Sequence, residues 1–211
     1  MTKVTCEIRD CKHWVDGECS KKEIASKVAV RWTKKKNPPL MDPCESDLLI
    51  EYVKKCKIHF VEIGTHKGGS ASLISKYLPV KVSLTTIDIF EKAPKGSMPP
   101  EKKPPKYEEA KETIEKQGDI SKVEIVKGYS WKVAENWDKD IDMLFIDGDH
   151  RYQAVKKDFN SWEPHVVKDG HILMHDVNLK GVRKAYEEKL RSSRFLLKER
   201  VGTLVVIKKL C

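Results

Sequence analysis

No apolar run in this 211-residue chain approaches the roughly 20 residues that cross a bilayer, and no signal-like apolar segment opens it. A transmembrane segment is therefore not expected, and a cytoplasmic location is the default reading. Two basic blocks, residues 21–36 and 92–106, hold a single aromatic residue between them, Trp32, short of the repeated aromatic interleaving or recognised module of a nucleic-acid binder. Their plainest reading is a solvated lysine-rich surface. The net charge of +9 also suits phosphate, an acidic glycan, an anionic lipid surface or nucleic acid as a partner. With 35% charged and 39% apolar residues, the chain is a globular protein with one core of about 150 to 170 residues and a small appendage.

Paired zinc-ribbon knuckles are missing too. Four of the six cysteines nevertheless fall in the first 44 residues, with Cys6, Cys11, Cys19 and Cys44 spaced C-x4-C-x7-C-x24-C. Without a secretory signal, that clustering favours a metal over a disulfide framework. Four thiolates suit structural zinc, with iron–sulfur as the alternative, and the Asp16–Gly17 turn signal would bring Cys11 and Cys19 towards one centre. His13 is the substitute ligand if Cys44 lies too far away. The segment VTCEIRDCKHWVDGECSKKEI also resembles small cysteine-rich domains of unknown function, which implies metal binding over about 20 residues. Cys56 and Cys211 fall outside the pattern and read as ordinary buried or terminal thiols.

The stretch VEIGTHKGGS, residues 61–70, is an apolar run ending in an acid and closely spaced glycines, followed by helical spacing in ASLISKYL. Strand, turn, helix at such a place is a nucleotide-cofactor site candidate. Helices are expected at 45–57, 69–78, 106–117, 130–137, 151–162 and 179–192. Strands are expected at 58–63, 82–88, 122–126, 141–147 and 170–175, with two short ones in FLLK and GTLVVIKK joined across 199–202. Residues 89–106 carry five prolines and form a long loop. The alternation predicts an α/β fold with a mostly parallel sheet covered on both faces, an antiparallel last strand, and ligands at the carboxyl ends of the strands.

FVEIGTHKGGSA, the strand-ending IDIF, FIDGDHRYQAVKKDF and DGHILMHD occur in the order that resembles class I S-adenosylmethionine-dependent methyltransferases. The likeness is to the branch of small O-methyltransferases and cephalosporin-hydroxylase-like enzymes. It implies a Rossmann-like three-layer sandwich with seven strands over 45–211, preceded by a cysteine-rich module with a basic linker at 1–44. It also implies S-adenosylmethionine as cofactor, a hydroxyl of a small molecule or glycan as acceptor, and a homodimer as a common assembly.

Position by position, the resemblance assigns Gly64, Gly68, Gly69 and Ser70 to the methionine end of the cofactor. Glu62 would meet its ammonium or order the loop, and Asp88 would accept both ribose hydroxyls. Gly128 and Ser130 fall on the adenine side, where Trp131 either covers the ring or belongs to the core. Asp147, Asp149 and His150 follow one strand, and His175 and Asp176 end the next. Carboxylates with imidazole there suit a divalent cation or acceptor deprotonation. The resemblance gives Asp147 and Asp176 to a cation and His150 to the general base. Val177 stands where an Asn ligand is usual, leaving Asp149 or His175 to compensate, and an imidazole ligand favours zinc, manganese or iron over magnesium. The alternatives are a capping role for His150 and an orienting role for His175. The 89–106 loop and the N-terminal module are expected over the active-site mouth, where lysines would suit an anionic acceptor. The rival readings are metal-assisted chemistry other than methyl transfer, and a silent domain that binds nucleic acid or another anionic partner.

Overall fold

The computed structural model describes residues 14–15, 18–19, 35–91 and 103–211. Two short strands, β1 (Trp14–Val15) and β2 (Glu18–Cys19), pair antiparallel with Trp14 opposite Cys19. Cys6 and Cys11 lie outside the described residues, and so does the four-cysteine site as a whole. Among the described residues no cysteine cluster is present, and Cys44 sits in the first turn of helix α1 (Pro43–Val53), packed against the core.

Helix α1 starts where Asp42 caps it, with proline at the first position and the Asp42 N–H donating to Glu45 Oε2 at 2.8 Å. Leu48, Leu49, Tyr52 and Val53 are all buried, as their spacing predicts. The helix ends four residues earlier than expected. Lys55 N–H and Cys56 N–H bond back three residues to Tyr52 and Val53, tightening the turn that drops the chain into β3 (His59–Ile63).

The order continues through α2 (Gly69–Tyr77), β4 (Ser83–Asp88), α3 (Tyr107–Gln117), β5 (Val123–Lys127), α4 (Ser130–Ala134) and β6 (Ile141–Ile146). It closes with α5 (Tyr152–Trp162), β7 (Val166–Met174), α6 (Lys180–Leu190), β8 (Phe195–Val201) and β9 (Leu204–Lys209). Seven strands form one sheet in the order β5-β4-β3-β6-β7-β9-β8, parallel from β5 to β7, with β9 antiparallel to both neighbours. Successive strand residues feed opposite cores. Phe60, Phe145, Leu173 and Val206 pack with α1, α2 and α3 on one face. Val61, Leu144, Ile172 and Val205 pack with α5 and α6 on the other.

Three further boundaries differ from expectation by three or more residues. Strand β7 begins at Val166 rather than 170, because Val166 is buried opposite Ile141; a register shift between Ile141 and Met143 accommodates the intervening residues, with Asp169 at φ 66°. Strand β8 runs through to Val201, leaving Gly202 and Thr203 as the turn. Helix α4 stops at Ala134.

The parallel register sets up everything that follows. Ile63 pairs with both Ile87 and Ile146, and Ile146 with Met174. The residues immediately after these, Gly64, Asp88, Asp147 and His175, therefore share one rim. The chain runs outward from β3 through β4 and β5, then returns to β6, so the strand order reverses between β3 and β6.

Candidate active site

At that reversal Gly64 adopts φ 104°, and a Cβ there would lie 2.2 Å from the Asp147 carbonyl oxygen. Only glycine lets β3 and β6 open into the turn at this separation. Gly68 and Gly69 have a different reason for being glycine than cofactor access. A Cβ would meet the Ala110 carbonyl oxygen of α3 at 2.7 Å from Gly68 and the Pro38 oxygen at 2.5 Å from Gly69. Gly69 and Ser70, opening α2, line the cavity.

Glu62 is fully buried and does not line that cavity. Its Oε2 accepts from Thr86 Oγ1 at 2.5 Å, and Thr86 in turn meets Thr65 Oγ1 at 2.6 Å. Of the two expected roles, ordering of the glycine turn is the one these bonds build. Burial, only partly offset by hydrogen bonds from Ser70 and Thr86, pushes the Glu62 carboxyl up to about 7.

Asp88 ends β4 with each carboxylate oxygen anchored by one backbone N–H, from His66 and from Phe90, both at 2.8 Å. Each oxygen retains acceptor capacity, and Asp88 lines the cavity. Gly128 N–H donates to the Asp88 carbonyl at 2.9 Å, bringing the loop after β5 alongside. A Cβ on Gly128 would make only ordinary contact, so its glycine character is not sterically required. The Ser130 hydroxyl donates to Asp158, a buried acid of α5 that also lines the cavity. Burial pushes the Asp158 carboxyl up to about 7. Asp158 was not singled out from sequence, where it reads as one acid among the lysines of an amphipathic helix. Trp131 lines the cavity and carries the Lys157 ammonium 3.8 Å above its ring.

On the other side of the cavity the rim gathers Asp147, His150, His175 and Asp176. His150 Nε2 lies 3.3 Å from Asp176 Oδ2 and 3.9 Å from Asp147 Oδ1. His175 Nδ1 lies 3.3 Å from Asp147 Oδ1 and 3.6 Å from Asp176 Oδ2. Asp149 is not part of this group. Its carboxylate takes the Arg151 N–H and guanidinium in a local fork, with Nε at 2.8 Å and Nη2 at 2.5 Å. Val177 is buried and apolar, so it supplies no ligand.

His175 is only 4% exposed, and its far nitrogen, Nε2, meets Glu45 Oε2 at 3.1 Å. Glu45 was not expected at this site, because its place three residues after Asp42 marks it only as part of a helix cap and it comes from 130 residues upstream. Burial opposes charge on the His175 ring, but the Asp147 carboxylate, with Asp176 and Glu45, pushes it up to about 12. Burial would likewise raise Asp147, yet the neighbouring His175 and His150 hold its carboxyl below the usual range. That shift favours the imidazolium, whose charge balances the neighbouring carboxylates. It is not a general base in that form.

Asp147, His175 and Asp176 each offer one ligand atom, and these atoms lie within 4.8 Å of one another. Both halves of the rim open into one cavity of about 810 Å³. Its walls include Lys36, Asn37, Pro38 and Leu40 from the segment before α1, and Ile89, Glu91 and Pro105 from the flanks of the long loop. Residues 92–102 of that loop lie outside the described residues.

Residues 61–177, from β3 to the residue after Asp176, match the model of a methyltransferase-domain family. The chain belongs to that family. Uncharacterized protein R132 of Acanthamoeba polyphaga mimivirus is 34% identical to this chain over 128 residues, 58% of the chain. The chain spans about half the length of that curated relative, 53%. Among solved structures, the O-methyltransferase of Bacillus cereus in complex with S-adenosylhomocysteine aligns with TM-score 0.62 and 17% identity over 93% of both chains. The O-methyltransferase TomG of Streptomyces achromogenes, involved in tomaymycin synthesis and in complex with S-adenosylmethionine, gives TM-score 0.62 and 17% identity. That alignment covers 90% of this chain and 89% of TomG. At such identities the likeness is one of fold.

Proposed function

We propose that this methyltransferase moves a methyl group from S-adenosylmethionine to a hydroxyl oxygen of a small-molecule or glycan acceptor. The observation that carries this reading is the shared cavity, with the Gly64 turn and Asp88 on one side and the carboxylate–imidazole group on the other. Asp88, held rigid by two backbone N–H groups, accepts the ribose hydroxyls. Gly64, Gly69 and Ser70 border the methionine end, and Ser130, Trp131 and Asp158 the adenine end. The acceptor oxygen attacks the methyl carbon in line with the departing sulfur, and the C–S bond breaks as the O–C bond forms. His150 takes the hydroxyl proton.

The ligand atoms of Asp147, His175 and Asp176 fit a divalent cation, since two carboxylates and an imidazole nitrogen converge there. Bound at that point, a cation would lower the acceptor hydroxyl's pKa and stabilise its oxyanion. Lys36 in the cavity wall favours an acceptor that carries phosphate or carboxylate. A zinc held by Cys6, Cys11, Cys19 and Cys44 is a separate proposal, read from their spacing and checked by elemental analysis of the purified protein.

The test is titration of the protein with S-adenosylmethionine, then incubation of labelled cofactor with fractionated extract. Saturable binding that is lost in Asp88→Ala, with label entering a small-molecule or glycan fraction, is expected. Cofactor binding indifferent to Asp88, or label confined to nucleic acid, overturns the reading.

A further inference from the structure

Glu45 is 2% exposed and accepts hydrogen bonds from three different elements. The Asp42 N–H reaches it at 2.8 Å from the start of α1, and Thr203 contributes its N–H at 2.5 Å and its hydroxyl at 2.8 Å from the β8–β9 turn. His175 Nε2 lies 3.1 Å away at the end of β7. Gly202, at φ 58°, stands so close that a Cβ would lie 2.3 Å from Glu45 Oε1. A buried carboxylate surrounded in this way has one rotamer available and fixes the ring it touches.

That leaves His175 Nδ1 pointing the other way. It is buried, finds no hydrogen-bond partner, and lies 3.3 and 3.6 Å from Asp147 and Asp176 oxygens. Those separations exceed most N–H···O bonds, which run about 2.7–3.2 Å. They match the spacing of donors that share one ion, since ligands each about 2.1 Å from a metal sit roughly 3.0–3.5 Å apart. A carboxylate on one ring nitrogen and converging oxygens on the other is the arrangement that orients a metal-ligating histidine.

We propose that Glu45 is a positioning residue for a transition-metal site formed by Asp147, His175 Nδ1 and Asp176. The imidazole selects Mn²⁺, Fe²⁺, Co²⁺ or Zn²⁺ over Mg²⁺. The proposal refines the cation of the methyl-transfer reading, and its test does not use turnover.

The full-length protein, stripped with chelator, is titrated with Mn²⁺ and Mg²⁺ by calorimetry and with Co²⁺ by visible absorption. Mn²⁺ should bind at least about tenfold tighter than Mg²⁺, and Co²⁺ should give ligand-field bands that His175→Phe alters. Glu45→Gln should weaken Mn²⁺ binding about 10- to 100-fold while S-adenosylhomocysteine affinity is unchanged. Should Glu45→Gln not fold, Thr203→Val decides; it removes only the hydroxyl that touches both Glu45 and His175, at 2.8 and 3.2 Å, and should weaken Mn²⁺ several-fold. Equal Mn²⁺ and Mg²⁺ affinities, Co²⁺ bands untouched by His175→Phe, or wild-type Mn²⁺ affinity in the folded variants overturns the proposal. Failure of the methyl-transfer reading would appear separately, as absent S-adenosylhomocysteine binding in the wild type.

Discussion

Asp158 of α5 and Glu62 of β3 are buried acids, each with its carboxyl pushed up to about 7. In the unfolded chain they would titrate near about 3.9 and 4.3. The folded state therefore binds their protons more tightly. The stability they contribute is complete below about pH 4 and is lost as pH rises through about 7. Urea unfolding of Asp158→Asn should accordingly show a smaller loss of midpoint between pH 5 and pH 8 than the parent, and an unchanged slope would refute the assignment. At this scale the sequence was legible where chemistry follows a strand directly. Gly64, Asp88, Asp147 and Asp176 each come just after an apolar run, so local pattern alone put them on the rim. Asp149 has the same local credentials, yet Arg151 two residues on takes its carboxylate. Glu45 reads locally only as a helix-capping acid and Asp158 carries no local mark, because their partners His175 and Ser130 arrive only through tertiary folding.

Among elements, α1 does two jobs. Its Leu49 and Val53 are completely buried against the sheet, while Glu45 in its first turn is fixed between His175 and Thr203. Leu49→Ala should cost about 2–5 kcal/mol in denaturant unfolding. Because the helix frame carries Glu45, the same variant should also loosen Mn²⁺ binding, which calorimetry on the folded fraction would register. From α1 onward the main helix and strand types were readable, since a short apolar run such as β6, buried at every residue, separates from the period-3.6 burial of α5. The errors were at ends. In β7 the polar Lys168 and Asp169 interrupt the apolar run, yet the strand continues through a bulge because Val166 gains full burial opposite Ile141.

For the molecule as a whole, the level register of β3, β4, β6 and β7 is what turns four separate strand ends into one site. If the cavity takes the cofactor as proposed, S-adenosylhomocysteine at a hundred times its Kd should stabilise the folded state by about 2.7 kcal/mol. That corresponds to roughly 5–10 °C in Tm for a domain of this size. Calorimetric scans with and without ligand would measure it, and Asp88→Ala should abolish the shift. The overall sheet was legible because alternating strands and helices admit few topologies. Residues 36–40 belong to the N-terminal segment expected over the site mouth, and they line the cavity where Pro38 packs against Gly69. The family match spans residues 61–177, whereas Glu45 and Thr203 lie on either side of it. A chimera that grafts only the matched stretch onto another methyltransferase would inherit His175 without the carboxylate that turns its ring, and so would transplant the ligands but not their aim.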